Sequence, residues 1–311
     1  MRVYDVSGFA FEAELRFPEL PPLRPSSPGA RFEVVSAPES APDGTEWFHA
    51  CRLEDGSRWL SCGQRDDSYV LRFHTLADFW VSGTGDRIRC CNPARTPWRT
   101  IRHLLVDQVI PLVLNLRGQE ALHASAVETD RGACAFIGAS GAGKSTLAAS
   151  LAEEGCPLVS DDCLALREAS DVVLAVPSYR ASRLWPDAAR ALLGTERAFP
   201  AVAHYTDKRL IGARGDRTCE PVRLTRIYLL EPSDGAESVS IAPVSPRQAL
   251  MELVEAAFRL DIRDRAMLAR QFTFLARVVA RVPAAALRFP WGFAGLPAVR
   301  EAVLRDKDGA T

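Results

Sequence analysis

The chain has 311 residues, 47% of them hydrophobic and 25% charged, with a formal net charge of -1. That is the balance of a globular protein, enough for one large domain or two ordinary ones. It offers no basic excess for nucleic acid and no polybasic run for a membrane surface.

The opening "MRVYDVSGFAFEAELRF" alternates acidic and apolar residues and lacks the basic start and apolar core of a signal peptide. The most apolar run, "LLVDQVIPLVLNL" at 104–116, is too short to span a bilayer and contains Asp107. The eight cysteines form no C-x-x-C pair and read as buried free thiols in a reducing cytoplasm. The expected location is therefore cytoplasmic.

Residues 1–97 read as a β-rich module. Short alternating stretches such as "FAFEAELRF", "RWLSCG", "YVLRFH", "DFWVSG" and "RIRCCN" recur at roughly ten-residue intervals between turn residues. "CNPARTPW" at 91–98 is the expected boundary, and 98–311 the second domain. "WRTIRHLLVDQVIPLVLNLRG" suits a helix ending at Gly118. "ALHASAV" and "ACAFIG" suit two strands joined by "ETDRG", and Ser145–Glu154 a helix with Gly155 past its end. "CPLVS" is the next strand, and from Pro246 onward the pattern turns helical.

Gly138-Ala139-Ser140-Gly141-Ala142-Gly143-Lys144-Ser145 matches G-x-x-x-x-G-K-[ST] between an expected strand and an expected helix. Such a loop turns successive backbone N–H groups toward phosphate oxygens, and the helix adds the positive end of its dipole. Lys144 is then the phosphate-contacting cation, Ser145 a Mg²⁺ ligand, and Thr146 part of the helix opening. ATP and Mg²⁺ are the expected cofactors. Only three of the 38 basic residues are lysine (Lys144, Lys208 and Lys307), so a lysine is more specific here than an arginine.

Asp161-Asp162 follow the apolar "PLV" seventeen residues after Lys144. In a parallel sheet that strand runs beside the phosphate-loop strand and ends on the same crevice. One carboxylate can hold Mg²⁺ and the other accept a proton, and spacing does not say which does which. His123 stands on the preceding strand and could face this pair. Lys208 and Arg209, with Arg180 and Arg183, are candidate substrate-contacting cations.

Together "LHASAV", "GASGAGKSTL" and "EGCPLVSDD" resemble the catalytic core of the HPr kinase/phosphorylase family. They are most similar to HPr-kinase-like serine kinases acting on ribosomal precursor peptides, notably lasso-type ones. "RLWPDA", "DKRL" and "RIYLL" look like further segments of that subgroup. The resemblance implies an α/β P-loop kinase domain behind the β-rich module, with a helical C-terminal end. It implies Asp161 as base toward a serine hydroxyl, Asp162 as metal ligand and His123 as the base's partner. The L-E-x-R-G-x-G loop of true HPr kinases is absent, with "LIGARGD" at 210–216 a faint echo, which counts against HPr as the substrate.

The leading reading is a Mg-ATP-dependent kinase acting on a serine of a peptide or small protein, with the β-rich module as a candidate capture surface. A small-molecule kinase of the shikimate-kinase kind is the second reading, although such enzymes carry no module of this size in front. A nucleotide-binding regulatory protein without transfer is the third. The arginine-rich end (Arg247, Arg259, Arg263, Arg265, Arg270, Arg277, Arg281) is a candidate oligomer interface or a solvated basic face.

Overall fold

The computed structural model describes residues 1–20, 29–35, 44–53, 55–92, 94–178, 181–194, 199–212 and 220–306. It is a mixed α/β structure with two large sheets, a two-stranded ribbon and a few helices. Two units emerge: Met1–Gln119 with Phe258–Gln271, and Glu120–Ala257 with Phe272–Thr311. The boundary expected after residue 97 lies inside the first unit. No helix among the described residues is long and apolar enough to cross a membrane.

The first unit is built on β1 (Arg2–Val6), β2 (Phe9–Ala13), β3 (Ala30–Val35), β4 (Glu46–Arg52), β5 (Arg58–Arg65), β6 (Ser68–Phe73), β7 (Ala77–Ser82) and β8 (Arg87–Cys91). Their order is β1-β2-β3-β8-β7-β6-β5-β4, with β3 parallel to both neighbours and the other pairs antiparallel. Strand alternation places Tyr4, Phe9, Phe11, Phe32, Phe73 and Phe79 inward, all buried. Their rings form a chain of contacts. Phe17 meets Phe11 edge-on at 5.3 Å and Phe32 at 6.1 Å, and Phe79 meets Phe32 at 6.5 Å and Phe73 at 5.8 Å. Cys90 and Cys91 are both buried, and as strand neighbours they point to opposite faces.

The expected helix after residue 97 is interrupted. It comprises α1 (Trp98–Leu104), a π-turn (Leu105–Val109) and α2 (Ile110–Leu116). Pro111 has no N–H to give the carbonyl of Asp107, and the widened turn just before it absorbs the mismatch. Gly118, at φ 69°, takes the left-handed conformation past the helix end. Asn115 ties residues 258–271 to this unit: its Oδ1 accepts from the Leu260 N–H (3.1 Å) and its carbonyl from Arg270 (3.0 Å).

The second unit begins with β9 (Glu120–Leu122), β10 (Ser125–Thr129), β11 (Gly132–Ile137), α3 (Lys144–Glu153), β12 (Leu158–Ser160), β13 (Leu164–Ala169) and β14 (Val172–Val176). It continues with β15 (Ala181–Leu184), α4 (Pro186–Leu193), β16 (Arg209–Gly212), β17 (Val222–Ser233), β18 (Ser240–Pro243), α5 (Pro246–Ala256), the later part of α6 (Arg265–Arg281), β19 (Ala284–Pro290) and α7 (Leu296–Arg305). β17 is the spine: it runs parallel to β11 and to β19 and pairs with β14 at its start. One side of this sheet packs on small residues, Ala124, Ala126, Ala133 and Ala135, with Leu275, Val278 and Leu253 from the helices. The other side packs Phe136, Leu147, Leu151 and Tyr228 against Val299 and Val303 of α7.

Three expectations change here. β12 does not adjoin β11; β10 lies between them, antiparallel to both, so β12 and β11 still point the same way. The C-terminal end is not wholly helical, because "AAALRFP" forms β19, placed by its pairing with β17 despite its alanines. Nor do its arginines form one solvated face. Arg277 and Arg281 both pair with Glu168, Arg270 bonds Asn115, and Arg263 pairs with Asp261 and Glu46.

The end of α7 is latched. Arg131, in the β10–β11 turn, donates to the carbonyls of Val303, Leu304 and Asp306. The Asp306 carboxylate pairs with Arg226 at 2.8 Å and accepts from the Tyr228 hydroxyl at 2.9 Å.

Candidate active site

The loop from β11 to α3 has the backbone conformation its glycines allow. Gly143 is the residue before the helix, at φ 95°, a conformation an L side chain rarely takes. Gly138 is needed for closeness: a Cβ there would lie 3.2 Å from the Leu230 carbonyl and 3.3 Å from the Ala142 methyl. Ala142 is buried in the core under the loop, while Ala139, Ser140 and Gly141 are exposed. Lys144, Ser145 and Thr146 open α3, whose first N–H groups and dipole make an anion-binding end.

Lys144 is only 5% exposed. Its Nζ donates to the carbonyls of Gly138 (2.8 Å) and Ala139 (3.0 Å), folding back over its own loop. Burial pushes its ammonium below the ordinary lysine range, Asp162 and Asp161 pull it back up, and Lys208 adds to the depression.

The two acids at the end of β12 face different ways. Asp161 is buried, with both oxygens engaged: Oδ1 accepts from the Ser125 hydroxyl (2.6 Å) and Oδ2 from the Arg183 N–H (2.8 Å). Burial pushes its carboxyl up, the neighbouring Asp162 charge adds to this, and Arg183 opposes it. Asp162 sits at φ 66°, in the left-handed region that Asp tolerates better than most residues. The twist leaves its side chain 15% exposed and in the wall of a cleft that Asp161 does not line.

Arg183 links the pair. It is 1% exposed, one of the largest fully buried side chains, and its guanidinium donates to the Asp161 carbonyl (3.0 Å). It lies 3.8 Å from the Asp161 carboxylate and 3.5 Å from that of Asp162.

His123 lies not on a strand but in the break between β9 and β10. Its N–H is held by the Ala256 carbonyl at 2.7 Å, beside a bridge from Leu122 to Ala257. Its Nδ1 stands 3.1 Å from the Asp162 carbonyl, which can only accept, so Nδ1 carries the proton. Burial pushes the ring below the usual histidine range, against the pull of Asp162.

His123, Ser140, Gly141, Gly143, Lys144, Ser145, Thr146, Asp162, Arg183, Trp185 and Lys208 line one cleft of about 430 Å³, counting the part open to solvent. Of the candidate substrate cations, Arg183 and Lys208 are therefore brought in. Arg209 is in β16 and does not line it, and Arg180 lies outside the described residues, as do 213–216 of "LIGARGD". Ser125 and Trp185 were not foreseen as site residues. Trp185 stood in view in "RLWPDA", and Ser125 carried no signal in a stretch of small residues.

These groups fit a Mg-nucleotide. The loop amides and Lys144 suit phosphates, and Ser145 and Asp162 put two oxygen donors, the ligand type Mg²⁺ takes, in one cleft wall. No protein-family model matches the chain, and no curated protein matches it. Among solved structures it is similar to an HPr(Ser) kinase/phosphatase from Coxiella burnetii, with 14% identity over 60% of this chain and 97% of that chain. The TM-score is 0.29, too low a likeness to carry an argument.

Proposed function

We propose that the chain is a Mg-ATP-dependent kinase that phosphorylates a serine hydroxyl on a peptide or small protein. The observation that carries the kinase reading is the single cleft joining the glycine loop, Lys144, Ser145 and Asp162. Transfer to a peptide serine, of the lasso-precursor kind, is supported by the sequence resemblance.

Bound Mg-ATP supplies the phosphoryl group. The loop 138–146 and the α3 N-terminus bind and orient the phosphates, and Lys144 exchanges its loop carbonyls for phosphate oxygens. Ser145 and Asp162 would hold Mg²⁺. Among the described acids Asp162 is the carboxylate that lines the cleft, so we assign it the acceptor's proton as well, at a carboxylate oxygen. The resemblance gives that task to Asp161. Its two oxygens are already committed beneath the cleft, so we assign Asp161 to holding Arg183, which in turn fixes Asp162.

The test is transfer of γ-labelled phosphate by the full chain with Mg²⁺. The acceptors are serine-ended peptides, HPr and small hydroxyl metabolites. Label on a peptide serine supports the proposal, and label on metabolites alone replaces it with a small-molecule kinase. Asp162→Asn should abolish transfer, on the order of a 10²-fold loss or more. Asp161→Asn should leave measurable transfer; the reverse pattern returns the base to Asp161.

A further inference from the structure

Of the cations in the cleft wall, two have work within the protein. Arg183 is committed to the two acids, and Lys144 to the loop. Lys208 differs. No described carboxylate lies within ion-pair distance of it, and its Nζ stands 5.7 Å from the ring centroid of Trp185. Trp185 is 50% exposed, an apolar ring in a cleft wall otherwise made of charged and polar side chains and glycine.

Their meeting is fixed by backbone register. β15 and β16 form an antiparallel ribbon in which Leu184 faces Arg209, so Trp185 and Lys208 are the next pair outward at the same end. Alternation sends Leu184 into a small core with Ala149 of α3, Ala188, Ala189 and Ile211, while Arg183 and Trp185 line the cleft. Pro186, at the start of α4, fixes the chain just after Trp185. The Lys208 backbone is fixed too, its carbonyl accepting from the Val202 N–H at 2.9 Å.

We propose that Trp185 and Lys208 form a binding subsite for an anionic group, built by residues outside the 138–146 loop. Trp185 holds the ammonium over its face and offers an apolar wall to the group carrying the anion. The anion is either the terminal phosphate of the nucleotide or a carboxylate beside the acceptor hydroxyl. The inference rests on the kinase reading for its place in the reaction, though not for the binding itself.

The test compares the full-length parent with Lys208→Met, Lys208→Arg and Trp185→Phe by calorimetry. The ligands are Mg-ATP, Mg-ADP, N-acetylserine and N-acetylserine amide. Both residues are at the cleft rim, and folding is checked by circular dichroism. If Lys208→Met weakens ATP about tenfold but spares ADP, the anion is the terminal phosphate. If it weakens N-acetylserine about tenfold, spares the neutral amide and leaves both nucleotides unchanged, the anion is the acceptor's carboxylate. In either case Lys208→Arg should restore binding to within a few-fold and Trp185→Phe should cost less than Lys208→Met. Equal affinities for parent and Lys208→Met in every arm overturn the subsite. Failure of the kinase reading looks different: the parent does not bind ADP, or Lys144→Ala binds it as well as the parent does.

Discussion

The two units bury their charge in opposite ways. In the first, each buried acid is satisfied close by: Asp78 by Arg72 across one strand pair, Asp107 by His103 one helical turn away, Asp261 by Arg263 two residues on. The space between is filled by phenylalanine and tyrosine rings. In the second, three of the five buried charged residues among those described, Lys144, Asp161 and Arg183, gather at and beneath one cleft from three elements, and the sheet is packed with alanine. Large rings supply stability wherever they lie. Small side chains bring backbones close enough to hold a charged loop in one place. Scattered, locally paired charge is the mark of a scaffold, and converging charge the mark of a site.

The sharpest way to break this contrast is Arg183→Met. It leaves Asp161 buried without its cation and should cost about 3–5 kcal/mol, read as faster hydrogen exchange in β12 and β15. Adding Asp161→Asn should recover part of the loss, because the stranded charge is removed. In the first unit, Phe11→Ala should cost about 3 kcal/mol or more, seen as lost exchange protection in β1–β3. The second unit should instead resist enlargement: Ala135→Leu, at a fully buried position between β10 and β17, should cost about 1–3 kcal/mol.

The smallest effect concerns Glu168, held below the usual glutamate range first by its hydrogen bond from Arg277. A depressed folded value means the pair stabilises fully above the unfolded glutamate pKa near 4.5 and loses this as pH falls through the folded value. Thermal melts of the parent should therefore fall more steeply below that pH than those of Glu168→Gln.

Much of this was legible in the residues. The five stretches named as strands in the first hundred residues overlap β2, β5, β6, β7 and β8, because aromatic and β-branched alternation is a strong local signal. The glycine loop and its helix lie where the motif puts them, since Gly143 and Lys144 are dictated by backbone conformation and charge. What could not be read depends on partners distant in sequence. "ALHASAV" carries no turn residue, and its break at His123 comes from β9 pairing with β13 while β10 pairs with β11 and β12. "AAALRFP" becomes a strand through β17, more than fifty residues earlier. Within the site, spacing could not say which aspartate faces the cleft. That is decided by one left-handed backbone angle at Asp162 and by Ser125 and Arg183, drawn from other strands.

The latch at Asp306 has a practical side for anyone handling the molecule. A chain cut before that residue strips Arg131, Arg226 and Tyr228 of a shared acceptor in one stroke. Arg226 already buries one nitrogen, Nε, with no acceptor among the described residues, so it has little to spare. Shortened versions should therefore end after Asp306, and an affinity tag belongs beyond it.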